Sequence, residues 1–184
     1  AASEGALDIT IEYVKEREAF GQKVGQFQNT RFKLADVKTQ VAVNRAFYEQ
    51  CANKYATDEL TTDEAAMLKL ASCEMQCDVA DQCLQLFGGY GYTTEYPISR
   101  FYVDARIQTI YGGTSEIMRE LVARGPKEEP VGAVQRHGAV QPDHLVVGRV
   151  VAVALVVKAD DKVLGFDGQY AGQVGRDCAA PTIE

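Results

Sequence analysis

Apolar positions recur at steps of three and four through the first two-thirds of the chain, the period of helices that bury one face. Leu7, Ile11 and Val14 share such a face, so residues 1–16 are predicted as the end of a helix that starts further upstream. Residues 17–26, with Gly21 and Gly25, are predicted as a loop. A long helix is expected from about Phe27 to Tyr55, its stripe formed by Leu34, Val37, Val41, Asn44, Tyr48, Cys51 and Tyr55. Asn44 is the polar exception in that stripe, and its expected role is to fix helix register rather than to bind a ligand. Thr57 to Thr62 is a polar break, and Thr61 with Glu64 has the spacing of a capping box. Met67, Leu70, Cys73, Cys77, Ala80, Leu84 and Phe87 form the stripe of the next helix, which Gly88 and Gly89 end. Pro97 opens a shorter helix to about Ile107, and Thr114 opens another to about Arg124. Long helices joined by short connections predict an all-α, antiparallel up-and-down bundle over residues 1–124.

The pattern changes after Arg124. Residues 125–184 hold four of the five prolines and eight of the sixteen glycines, and are rich in valine. His144 to Lys158 reads as a strand, and Asp160-Asp161 could turn it back into Lys162 to Phe166. Three readings of this tail stay open: a β-hairpin appendage, a linker, or an aberrant end produced by a reading-frame error. A lone hairpin is marginal in water, so poor order is expected there.

At 184 residues the chain suffices for one domain with a proper core, and 46% hydrophobic with 24% charged residues is ordinary for a globular protein. The net charge of −7 argues against nucleic acid or an anionic membrane as partner. No apolar run is long enough for a membrane-spanning helix, and the N-terminus lacks the pattern of a secretion signal. Cys51, Cys73, Cys77, Cys83 and Cys178 form no short Cys-x-x-Cys pair. With only His137 and His144 to join them, they read as core thiols of a reducing, cytoplasmic compartment, and no metal site is expected.

Three stretches carry candidate chemistry. The first is Arg17-Glu18-Ala19-Phe20-Gly21-Gln22, followed closely by Phe27-Gln28. An arginine can fork two N–H donors towards a diphosphate, although a surface ion pair with Glu16 or Glu18 is the plainer alternative. The second, Gln85-Leu86-Phe87-Gly88-Gly89-Tyr90-Gly91-Tyr92, ends a helix where a glycine pair lets another molecule approach the backbone. The third, Ile110-Tyr111-Gly112-Gly113-Thr114-Ser115-Glu116, sets two glycines before a helix whose first N–H groups are free to hold an anion or ring edge.

In this order and spacing, the three stretches closely resemble the C-terminal helical domain of the acyl-CoA dehydrogenase flavoenzymes, nearest the long-chain and isovaleryl-CoA dehydrogenase branch. The resemblance covers about residues 1–124. It implies an FAD cofactor, whose diphosphate Arg17 would reach in a neighbouring subunit, with Phe20 on the adenine end and Gln28 on the nucleotide. It further implies that Gln85, Leu86, Phe87, Gly88 and Gly89 meet the adenosine part across a dimer. Thr114, Ser115 and Glu116 would border the flavin, and Gly112 and Gly113 would face the thioester of an acyl-CoA substrate. A homodimer or homotetramer and an electron-transfer flavoprotein as electron acceptor follow from the same resemblance, as does a place in fatty-acid β-oxidation or branched-chain acyl degradation.

The reaction needs a base for the α-proton, usually a carboxylate whose pKa is lifted by desolvation. Many family members place that glutamate just before the Gly-Thr pair, where this chain has Gly112. Two explanations compete: the base lies on the helix before the Arg17 loop, upstream of Ala1, or the domain is catalytically dead. The likeness of Tyr111-Gly112-Gly113-Thr114 to the long-chain branch favours the first. Neither Glu116, which starts a helix, nor Glu4 is nominated as base. The chain is thus expected to be the C-terminal portion of a longer dehydrogenase and inactive by itself; the rival reading is a non-catalytic helical partner or oligomerisation module.

Overall fold

The computed structural model describes residues 1–125. The tail, with its expected strands at residues 144–158 and 162–166, lies outside the described residues. Five helices make up most of the described part: α1 (Ala2–Glu16), α2 (Gln28–Ala56), α3 (Thr62–Phe87), α4 (Ile98–Gln108) and α5 (Ser115–Ala123). Their boundaries fall within a residue or two of those expected from the apolar pattern, and the architecture is the expected antiparallel helical bundle.

α3 is the central element, with α1, α2, α4 and α5 all packed on it. Two apolar clusters lie along its length. At its start, Leu68, Ala65 and Ala66 meet Cys51 of α2, Leu60 of the preceding loop, and Met118 and Leu121 of α5. Towards its end, Val79, Cys83 and Phe87 meet Ala6 and Leu7 of α1, Val37 and Val41 of α2, and Ile98 of α4.

This central place corrects the single stripe expected for α3. Met67, Leu70, Cys77 and Leu84 are half-buried, whereas Leu68, Val79 and Cys83 are fully buried on other sides of the helix. A helix packed against four others buries more than one stripe, while Ala71, Glu74, Asp78, Asp81 and Gln85 form its exposed face. Two further expectations shift. Tyr55 is exposed where α2 runs out, and Leu60, inside the supposed polar break, is 1% exposed and plugs the first cluster. Burying such a leucine contributes roughly 1.5–3 kcal/mol. Asn44 does hold register: its Oδ1 accepts the hydroxyl of Ser72 on α3 at 2.9 Å.

Local chemistry sets the helix ends. Thr61 caps α3 by accepting the Glu64 N–H, and Glu64 reaches back to the Thr61 N–H at 3.2 Å, completing the capping box. Glu64 also pairs with Lys54, which ties α3 to the last turn of α2. Burial pushes the Glu64 carboxyl up, but Lys54 and Thr61 outweigh it and hold the group below its ordinary value of about 4.5. Burial pushes the thiols of Cys51, Cys73, Cys77 and Cys83 up, keeping them protonated at neutral pH, as core thiols should be.

Thr61→Ala is expected to cost about 1 kcal/mol in urea unfolding. Because Glu64 titrates lower when folded than unfolded, its contribution is present above about pH 4.5 and fades as pH falls through the folded value. Glu64→Gln should therefore lower stability at pH 7 and flatten the acid limb of the stability–pH curve.

Candidate functional site

The expected loop after α1 is a two-stranded hairpin, Glu18–Ala19 paired with Gln22–Lys23, followed by a 3-10 turn at Val24–Gln26. Ala19 pairs with Gln22, leaving Phe20 and Gly21 as the two-residue tip. Both have positive φ, 52° and 81°, which is what the tight turn matching strand twist demands. Glycine adopts that conformation freely; a phenylalanine is strained there. The Phe20 ring is nonetheless 98% exposed, with only an edge contact to Phe27 at 6.4 Å between centroids.

Arg17, at the base of this hairpin, is exposed, and its guanidinium sits 5.0 Å from the centroid of the Tyr90 ring. The ion pair that would have made it a surface charge is absent among the described residues, since Glu18 pairs with Lys23 instead. The cation–π contact joins the hairpin to the 3-10 turn Gly88–Tyr92 that ends α3. Beneath it, Tyr13 stacks on Phe87 at 4.0 Å and donates its hydroxyl to the Phe87 carbonyl at 3.3 Å. Tyr96 closes edge-on against both rings.

That packing separates the residues of the second stretch. Phe87 is 5% exposed, and its ring belongs to the core. Leu86 is half-buried, while Gln85, Gly88 and Gly89 are exposed. Each glycine has its own reason. Gly88 caps α3 at φ 61° and ψ −143°, a region open to glycine. Gly91 is pressed on the helix end, where a Cβ would lie 2.7 Å from the Leu84 carbonyl. Gly89 has neither constraint: no positive φ, and nothing within 4 Å of a Cβ. The fold itself does not require glycine there. Gln28 opens α2 and is exposed just after the hairpin corner.

The third stretch lies elsewhere. Gly112 (φ 66°) and Gly113 (φ 103°) lead into Thr114, whose hydroxyl caps α5 by accepting the Ile117 N–H. An open groove of about 350 Å³ runs beside this helix start, lined by Thr114, Ser115, Glu116 and Arg119, by Arg106 in the last turn of α4 and Thr109 after it, and by Glu74 and Cys77 of α3. Ser115 is 7% exposed. Glu116 is exposed, and its own backbone N–H and the Thr114 hydroxyl hold its carboxyl below the usual range. A carboxylate held charged in this way is a weak base. Glu4 is likewise lowered, by the Arg45 guanidinium 2.6 Å away. Neither has the raised pKa that the family's proton abstraction requires.

Cys77 borders this groove, and Phe87 lies ten residues further along α3, about 15 Å away along the axis. The hairpin and Gly88–Tyr92 turn thus form one patch, and the glycine pair with α5 forms another. Sequence reasoning missed two members. Tyr90 holds Arg17, and Lys69, only 8% exposed, donates from α3 to the Gly113 carbonyl at 2.5 Å. A lysine within an apolar helix pattern was the available signal for the latter.

Two substitutions separate strain from packing. Phe20→Asn places at the hairpin tip a residue that tolerates positive φ, and should stabilise the chain by about 1 kcal/mol in urea unfolding. Gly91→Ala should destabilise it by roughly 1–3 kcal/mol through overpacking, while Gly89→Ala stays within about 0.5 kcal/mol of the parent.

The family model described as acyl-CoA dehydrogenase, C-terminal domain, matches residues 1–126. Over 124 residues the chain is 50% identical to the mitochondrial long-chain specific acyl-CoA dehydrogenase of Sus scrofa, a match spanning 67% of this chain and 29% of that protein. It is 41% identical over 122 residues to the acryloyl-CoA reductase (NADH) of Anaerotignum propionicum, covering 66% of this chain and 31% of that one. Among solved structures, the acyl-CoA dehydrogenase of Geobacillus kaustophilus superposes with a TM-score of 0.65 at 39% identity, over 67% of this chain and 32% of that one. The chain therefore spans under a third of the length of the relatives it matches. The chain belongs to the acyl-CoA dehydrogenase family.

Proposed function

We propose that this chain is the C-terminal domain of an FAD-dependent dehydrogenase acting on a fatty or branched acyl-CoA, and that its two patches serve two different flavin sites. The observation that carries this reading is the hairpin patch. It combines an arginine without a carboxylate partner among the described residues, an aromatic ring strained into solvent, and an open glycine turn. Strain and exposed apolar surface both cost stability, and a bound ligand offsets both.

The side chains fit the group. Arg17 would hold a diphosphate, Phe20 would cover the adenine end, and Gln28 and Gln85 would hydrogen-bond the nucleotide. Gly88 and Gly89 would let its ribose approach the backbone. Leu86 would add apolar contact, and Phe87 acts from beneath by fixing the turn. On the second patch Thr114, Ser115 and Glu116 would border the flavin ring, with Gly112 and Gly113 next to the acyl thioester. When bound, FAD supplies the acceptor for the substrate's β-hydrogen.

A separation of about 15 Å between the patches along α3 supports one patch serving its own subunit's cofactor and the other a neighbour's. A homodimer or homotetramer, and an electron-transfer flavoprotein as partner, belong to this proposal. The missing carboxylate at Gly112, with Glu116 and Glu4 both held charged, favours a base contributed from outside this bundle. The same observation supports the second reading, a non-catalytic subunit that lends part of a flavin site to a complete enzyme.

The test is an FAD titration of the 184-residue chain, followed by flavin absorbance and light scattering. The proposal expects a flavin-retaining dimer or larger species, and Arg17→Ala should weaken binding about tenfold or more while leaving urea stability within about 0.5 kcal/mol. A colourless monomer would overturn the shared flavin interface on this chain.

A further inference from the structure

Lys69 is a charged residue 92% removed from solvent by the packing of α3, yet no carboxylate meets it among the described residues. Burying an ammonium group is costly unless strong partners replace its water. Among the described residues its hydrogen-bond partner is the neutral carbonyl of Gly113, at 2.5 Å. The start of α5 lies just beyond.

The glycine pair has few other fixed points. Tyr111 and Ile110 donate to the Ile107 carbonyl, and Ser115 donates to the Thr109 carbonyl, so both flanks are tied. Among the described residues, Gly112 and Gly113 themselves have the Lys69 bond as their hydrogen bond. With φ values of 66° and 103° and no side chains, they would otherwise be the loosest part of the loop.

We infer that Lys69 is a positioning residue, which fixes the Gly113–Thr114 peptide and thereby aims the Thr114 N–H outward as a ready donor. The step follows from planarity. In a trans peptide the carbonyl and the next N–H point in opposite directions. Drawing the Gly113 carbonyl inward onto Lys69 turns the Thr114 N–H away from the core, where it has no backbone partner among the described residues. The cost of a buried ammonium is thus spent on a backbone donor at the mouth of α5. This inference rests on the proposed function for its ligand, an electron-rich edge of the flavin or thioester, but its geometry can be tested alone.

Lys69→Met keeps length and apolar bulk while removing the donor, and Lys69→Arg restores a cationic one. Isotope-labelled 184-residue chains would be compared by amide exchange and by the carbonyl carbon shift of Gly113. In the Met variant the Gly113 shift should move and the Ser115 and Ile117 amides should exchange about tenfold faster, with amides of residues 79–87 unchanged; Lys69→Arg should reverse both effects. FAD should perturb the Thr114 amide of the parent, and bind the Met variant about tenfold more weakly. A Gly113 shift and Ser115 protection indistinguishable from the parent would overturn the inference. Should the variants not fold, the ammonium resonance of Lys69 in the parent decides: slowed proton exchange relative to exposed lysines supports the bond, and exchange as fast as theirs refutes it. Failure of the parent to bind FAD would count against the proposed function, and the exchange and shift data would still decide the role of Lys69.

Discussion

The rest of the structure depends on the burial of α3. A helix that packs against four others on most of its surface has to meet each neighbour with small or apolar side chains, and Ala65, Ala66, Cys73, Ala80 and Cys83 allow that close approach. Its two ends then become the places where backbone geometry departs from helix. One end is closed by the capping box and the Lys54–Glu64 pair. The other runs into glycines that no outside neighbour crowds. The elements fastened to α3 are set apart along its length.

That spacing along α3 accounts for the distribution of candidate chemistry. Tyr13, Phe87 and Tyr96 make an aromatic base under the Gly88–Tyr92 turn, and Tyr90 on that turn receives the guanidinium of Arg17. The stacked rings hold the turn, the turn holds the arginine, and the hairpin carries a strained phenylalanine beyond it. Ten residues back along α3, Cys77 borders the groove beside the start of α5. The bundle therefore presents two separate surfaces spaced along α3, and the matching region of its relatives makes up about a third of their length.

Electrostatics distinguish carboxylates that stabilise from one that could react. Glu64, Glu4 and Glu116 all titrate below their ordinary range, through Lys54 and Thr61, through Arg45, and through backbone and Thr114 respectively. Glu64 works as a cap and ion-pair partner, and Glu4 as an ion-pair partner. A general base needs the opposite setting, an apolar surrounding that raises its pKa.

The sequence by itself determined the helices, because a step of three and four is a local property and the caps Thr61 and Thr114 act within three residues. It also determined the family, since Arg17 with Phe20, the glycines after Phe87, and Gly112 to Glu116 keep a recognisable order. Tertiary structure decided what each side chain does. Phe87 and Gly88 are neighbours in sequence, yet one ring is sealed against Tyr13 while the next residue is open. Leu60 sits in a polar stretch and fills the core, and Lys69 sits in an apolar helix and holds a loop 44 residues away. Such roles depend on which elements meet across the bundle, and periodicity along one helix carries no record of that.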